Sequence, residues 1–328
     1  MKAIFVSNTA AYLLNMWLPL ARALREQGAD VILAAPAGPE ANALVADGFR
    51  FESVPILRGV GLPWAEFKAL TAIVRLYRFV LRGRNSWIIF QNPDDRDLFL
   101  RRGVASTDRT AVVLGSGVDT RAFPASPLPK GIPVVLCAAR LLWDKGIGEY
   151  VAAARVLRRE GVSARFLLAG WRDSEHPGAI PESVIRGWHD EGVIEYVGHC
   201  KDMVGLLKES TIVVLASKYR EGVPRVLVEA ASMARPLIAT DVPGCREVCI
   251  DGVTGTLVHA GDTAGLASAI AGMLANPTAA AQLGRNGRIL VEKTFDLRRV
   301  VSETVAVYAG SAGALSDSGR AVAVRRSR

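Results

Sequence analysis

Cysteine is scarce: four residues in 328, at Cys137, Cys200, Cys245 and Cys249. Cys245 and Cys249 have three residues between them, and no His-x-His and no second cysteine pair accompanies them. Reduced, mostly buried thiols are therefore expected, not a disulfide framework or a zinc site. Aromatic residues make up only 7% of the chain, and no aromatic-and-basic strand pattern is present, which argues against a nucleic-acid module. No apolar window reaches the about 18 residues that a membrane span needs. The longest candidate, Ala10 to Leu24, is interrupted by Asn15, Pro19 and Arg22. The opening MKAIFVSN has too short an apolar stretch for a secretory leader. A cytoplasmic protein is expected, with peripheral attachment at the inner face of the plasma membrane as an extension of that reading.

What is present is globular: half the residues are hydrophobic and 22% are charged. The net charge is +8, and the segment after Gly310 supplies Arg320, Arg325, Arg326 and Arg328 against Asp317. That tail, residues 310–328, lacks an apolar period and reads as disordered. Phosphorylated ligands or an anionic membrane surface suit the basic balance better than nucleic acid.

Short β-rich runs alternate with helical patterns. In the first part, strands are expected at Lys2–Ser7, Asp30–Ala35, Phe51–Pro55, Trp87–Gln91 and Thr110–Leu114. Helices are expected at Ala11–Gln27, Pro39–Asp47 and Trp64–Arg82. The pattern restarts at Pro133–Ala138 and continues with strands at Arg165–Ala169, Ile194–Val197, Ile212–Leu215, Pro236–Ala239 and Gly255–Val258. Between them lie helices near Ile147–Glu160, Pro181–Glu191, Met203–Lys208, Pro224–Ala234 and Thr263–Ala275. This order predicts an α/β fold of two Rossmann-like domains, with ligands at the carboxyl ends of the strands. The expected division is an incomplete first domain at 1–117, a second at 118–295, and a closing helix at 296–309. The stretch Gly115–Gly131, rich in Gly, Pro and Ser, reads as a linker.

The richest segment is Leu215 to Val248. A strand runs into a loop, and a helix begins near Pro224, a residue suited to a first helical turn. Gly222 lets backbone approach a ligand closely, and the N–H groups of Val223, Pro224's neighbours Arg225 and Val226, and the helix dipole would face an anion. Glu221 and Glu229 flank this helix start as E-x7-E, and carboxylates accept well from sugar hydroxyls. Arg140, just past a strand end, and Lys145, before the next helix, suit a diphosphate. Asp95-Arg96-Asp97 mimics an acidic metal motif. The preferred reading is a helix start, with Asn92 as cap, Pro93 entering, and Asp94 and Asp95 complementing the dipole. No metal and no cofactor are expected.

Together these elements resemble a family-four retaining glycosyltransferase of the GT-B fold. The resemblance rests on Glu221-x7-Glu229, the Arg140 and Lys145 pair, and the TDVPGCREV and DGVTGTLV segments at Thr240–Val248 and Asp251–Val258. SNTAAYLLNMWLPLARAL, FQNPDDRDLFLRRG and GSGVD are similar to a narrower bacterial group. Those enzymes add a sugar, often an N-acetylhexosamine, to an undecaprenyl-diphosphate-linked saccharide. The resemblance implies a UDP-sugar donor and a lipid-linked acceptor, as in capsule, O-antigen or glycan biosynthesis. It implies that Arg140 and Lys145 hold the diphosphate, Glu229 the ribose, and Glu221 the transferred sugar. Gly222 to Val226 would support sugar and phosphates, and Asn8 and Thr9 would line the acceptor side. Retention of configuration is implied by the family alone.

The chain departs from the family after Leu70–Arg84, where roughly two βαβ units of about 30 residues each are missing. The family's acceptor-side histidine has no counterpart, since His176, His189, His199 and His259 all lie in the second half. This gap motivates an alternative, a non-catalytic or degenerate nucleotide-sugar binder. It also leaves a sheet edge that a second copy could cover. Arg75, Arg78 and Arg82 share one face of the expected Leu70–Arg84 helix, so that helix either packs on the sheet or rests on anionic lipid. A nicotinamide oxidoreductase would need G-x-G-x-x-G after the first strand, and none is present.

Overall fold

The computed structural model describes residues 2–6, 10, 13–26, 28–54, 88–174 and 176–308. The expected helices over 64–82 and 70–84, the residues Asn8 and Thr9, and the basic tail lie outside the described residues.

The first part holds two small parallel sheets. β1 (Lys2–Val6), β2 (Asp30–Ala35) and β3 (Arg50–Ser53) form one, in that order. β4 (Ile88–Phe90) and β5 (Thr110–Val112) form the other. The helix expected from Ala11 is split, with a π-helical stretch at Leu13–Trp17 running into α1 (Leu18–Glu26). Leu20, Ala21 and Leu24 of α1 are buried against Leu33 and Ala35 of β2. α2 (Pro39–Ala46) follows, and α3 (Pro93–Arg101) joins β4 to β5.

The second part is a six-stranded parallel sheet. Its strands are β6 (Val134–Ala138), β7 (Arg165–Ala169), β8 (Glu195–Gly198), β9 (Ile212–Leu215), β10 (Leu237–Thr240) and β11 (Gly255–Val258). Their order is β11-β10-β9-β6-β7-β8. All residues of β6, β9 and β10 are buried, the run of apolar residues expected when helices cover both faces. The two-residue alternation sorts them. Val135, Cys137, Ile212, Val214 and Ile238 face α4 (Ile147–Arg159) and α8 (Thr263–Ala275). Val134, Leu136, Val213, Leu215 and Leu237 face α7 (Arg225–Ser232) and α9 (Pro277–Thr294). α5 (Glu182–Asp190) and α6 (Met203–Glu209) complete this layer set, and α10 (Leu297–Tyr308) follows α9.

α10 returns to the first part of the chain. Val300 and Val307 pack with Ala111 and Val113 beside β5, and Val301 and Val305 pack against the core around α1. The stretch 115–131 is no loose tether. Val118 N–H donates to Phe295 O at 2.9 Å, and Thr120 Oγ1 to Asp296 Oδ2 at 2.7 Å. Fully buried Arg235 donates to the carbonyls of Ser126, Pro127 and Ser210, and Arg288 Nη1 to those of Thr120 and Phe123. Desolvation lowers the Arg235 pKa to about 10.

Candidate active site

The order of the large sheet reverses between β6 and β9: the chain leaves β6 toward β7 and β8, then returns to β9 on the other side. Loops after these two adjacent strands diverge there, leaving a crevice. They are sewn together at its base. Lys218 N–H donates to Asp144 O at 2.8 Å. Gly146 has φ +68°, and a Cβ there would lie 1.8 Å from Ala216 O, so only glycine permits this approach.

Two polar clusters form at this point. In one, Glu221 Oε1 accepts from Lys145 Nζ and from Ser217 Oγ, each at 2.5 Å, with both ionic side chains mostly buried. In the other, Arg140, Arg225 and Glu229 line a hollow of about 200 Å³ whose apolar wall is Ala138, Ala169, Trp171, Met203 and Val226. Such an apolar wall with a few converging polar groups is the usual make-up of a small-molecule pocket. Arg225 Nε donates to Glu229 Oε1 at 2.5 Å across one helical turn. Burial pushes the Glu229 carboxyl above the ordinary carboxylate range, against the pull of Arg225. A larger hollow, about 700 Å³, lies beside β11 and α8, around Asp241, Arg246, His259 and Asp262. It contains none of the expected site residues, and in it Arg246 Nε pairs with Asp241 Oδ1 at 3.0 Å.

The expected site residues thus separate. Arg140 and Glu229 share a hollow, whereas Lys145 is held by Glu221, so Arg140 and Lys145 do not form one grip in this structure. Pro224 is the residue before α7, not its first turn, and its carbonyl accepts from Leu227 N–H at 3.1 Å. Gly222 and Val223 differ from expectation in a more telling way. A Cβ on Gly222 would lie 2.2 Å from Gln91 Oε1, and Val223 N–H donates to that same oxygen at 3.3 Å. The group approaching this bare backbone is a side chain from the first part of the chain, not space for a ligand.

Gln91 is one of a set. Phe90 stacks edge-on with Phe99 at 5.1 Å, fixing the end of β4 against α3. Asn92, fully buried, caps α3 by accepting from Asp95 N–H at 2.8 Å, as its place before Pro93 predicts. Its Nδ2 also donates to Glu221 O at 3.2 Å and to Gly222 O at 3.4 Å. Asp95 Oδ1 accepts from Arg220 Nη2 at 2.8 Å. Asp95 is therefore engaged in the cap and an ion pair. Among the described residues no group of three or more His, Cys, Asp or Glu is arranged to hold a metal ion. From the other side, Glu221 N–H donates to Pro243 O at 3.0 Å. Gly244, at φ +85°, lets the TDVPG loop sit against Gly222 O, only 1.6 Å from where a Cβ would stand. No sequence spacing announces Ser217, Trp171 or Gln91 as part of this site; FQN before Pro93 was legible as a cap and within a segment of family resemblance, not as a contact to Gly222.

Residues 132–276 match the family described as "Glycosyl transferases group 1". The glycogen synthase of Mycobacterium tuberculosis H37Rv is 31% identical over 203 residues, 60% of this chain and 47% of that protein. The N,N'-diacetylbacillosaminyl-diphospho-undecaprenol alpha-1,3-N-acetylgalactosaminyltransferase of Campylobacter jejuni is 34% identical over 123 residues, 38% of this chain and 30% of that protein. This chain thus spans less than half of either relative. Anabaena Alr3699/HepE, solved in complex with UDP, superposes with a TM-score of 0.73 at 17% identity, covering 94% of this chain and all of that one. Among the described residues no helix is long and apolar enough to cross a membrane. Residues 132–276 are thus similar to the group 1 glycosyltransferases, in a chain whose α/β fold is GT-B with a short first part.

Proposed function

We propose that the chain is a retaining glycosyltransferase that moves a hexose, by preference an N-acetylhexosamine, from a UDP-sugar to a lipid-linked saccharide. The observation that supports this reading is the placing of two charged clusters where the sheet reverses: Lys145 paired with Glu221 on the segments after β6 and β9, and Arg140 sharing a hollow with Glu229 of α7. UDP in the solved HepE structure and the diphospho-undecaprenol substrate of the Campylobacter relative support donor and acceptor class. Residues 1–117 would supply the acceptor side and 118–295 the donor side, with Asn8 and Thr9 facing the acceptor.

In this reading Glu229 accepts from the ribose hydroxyls inside the Arg140 hollow. The diphosphate lies between Arg140 and the start of α7, where the N–H groups and dipole of Arg225 and Val226 favour an anion. As the bond from the anomeric carbon to the diphosphate breaks, its electron pair passes to the leaving oxygen. Cations and N–H groups fixed there stabilise that developing charge more than the ground state. The Lys145–Glu221 pair places a cation and an acceptor side by side: Lys145 turns to the diphosphate, and Glu221 takes a hydroxyl of the transferred sugar. The acceptor hydroxyl forms the new bond on the face that the diphosphate leaves and passes its proton to the departing phosphate oxygen. Attachment to the inner membrane face follows from a lipid-linked acceptor, and the basic residues at 75, 78 and 82 would serve it.

A thermal-shift series with UDP, GDP and ADP tests the donor, and UDP alone is expected to stabilise. Glu221→Gln keeps shape while removing the charge, and transfer should fall about 10²-fold or more with the fold intact. Transfer at the wild-type rate by that variant would remove Glu221 from the mechanism. Binding of UDP without turnover on any polyprenyl-diphosphate-linked acceptor would instead support the non-catalytic alternative.

A further inference from the structure

We infer that Gln91 and Asn92 are positioning residues for the Glu221–Val223 turn, reaching across the cleft from the first part of the chain. The inference deepens the glycosyltransferase reading and rests on it. Glu221 sits on a turn that no helix or strand holds, between β9 and α7. Its backbone is fixed from two sides. Pro243 O accepts its N–H, and Asn92 Nδ2 donates to its carbonyl and to that of Gly222. Gln91 Oε1 then takes Val223 N–H through the gap that Gly222 leaves. Asn92 is completely buried, so its amide has no water to exchange for these carbonyls, and a lost partner there is costly. The Arg220–Asp95 pair closes the same contact at its rim. The side chain of Glu221 points at Lys145 only if this turn keeps its shape, so the first part of the chain sets the aim of the donor-side carboxylate. Direct contact with substrate is not required for this role.

Asn92→Ser separates cap from reach. Serine caps a helix nearly as well as asparagine, but it is too short to bridge to Glu221 O. Gln91→Ala removes the acceptor for Val223 N–H. In amide hydrogen exchange, each variant should speed exchange at Gly222 and Val223 about tenfold or more, while the strands of the large sheet keep wild-type protection. Gly222→Ala should produce the same acceleration in the wild type, and far less in a Gln91→Ala background, where its Cβ no longer meets the Gln91 amide. In kinetics of UDP release from UDP-N-acetylglucosamine with a polyprenyl-diphosphate-linked acceptor, kcat should fall about tenfold, with donor KM changed less than about threefold. Wild-type exchange at residues 222 and 223 in both Gln91→Ala and Asn92→Ser would overturn the inference, as would faster exchange with unchanged kcat. Should wild-type protein fail to bind UDP in calorimetry, the glycosyltransferase reading falls, while the exchange data still decide whether the contact holds the turn.

Discussion

Glu229 is held in a setting that works against its charged form. Its carboxyl is raised by burial, and Arg225 offsets this only in part. A carboxyl raised in the folded state contributes fully below its ordinary value of 4.5 and loses that contribution as pH climbs through the raised value. At neutral pH the charge therefore costs stability. Glu229→Gln should leave the thermal midpoint equal or higher, yet weaken UDP binding about tenfold or more through loss of a charged hydrogen bond; calorimetry and thermal melts together check this. The buried thiols act in the same direction at higher pH. Desolvation pushes Cys137 and Cys249 from 9.0 to about 12 and raises Tyr150, whose hydroxyl donates to Val135 O and Leu167 O. The two thiols are neutral when folded, so their contribution is intact below about pH 9 and is lost as pH rises from there toward 12. Urea melts from pH 8 to 11 should show falling stability, with a shallower slope for Cys137→Ala. Gly244 makes the sharpest case: Gly244→Ala combines a positive φ with a 1.6 Å approach to Gly222 O. It should cost about 2 kcal/mol or more in urea melts and displace the Glu221 turn.

The elements of the large sheet were legible because burial on both faces writes apolar runs into the sequence, as in VVLCA of β6 and IVVL of β9. The loop after β6 was equally legible as a place for charge, and Arg140 lies there, at the hollow that Glu229 of α7 also lines. α9 was not, although it is 18 residues long. Gly284 and Gly287 lower its helix propensity and hid it. Their purpose lies in packing: a Cβ on Gly284 would stand 2.1 Å from Ala234 O, and one on Gly287 would stand 3.3 Å from Ala231 Cβ. Local sequence could not show this, because the partner helix α7 is half a hundred positions upstream. The pairing of Gln91 with Val223 was hidden for the same reason, at greater separation. Gly284→Leu should push α9 off α7 and lower the melting temperature by several degrees, about what a 2 kcal/mol loss produces in a domain of this size.

Over the whole molecule, the two parts are joined more firmly than their sequence of a Gly, Pro and Ser-rich connector implied. Arg235 fastens that connector from within by the carbonyls of Ser126 and Pro127 and the Ser126 hydroxyl, without a carboxylate. Arg235→Met should leave those carbonyls unpaired and cost about 3 kcal/mol or more, read as a lower urea midpoint with unchanged slope. α10 supplies the second tie, since Val300 and Val307 cover Ala111 and Val113. That arrangement has a consequence for biogenesis. A ribosome delivers the β4–β5 unit some two hundred codons before the helix that shields it. The first part of the chain therefore emerges with an apolar flank bare, a state in which chaperone capture competes with self-association until α10 has been made.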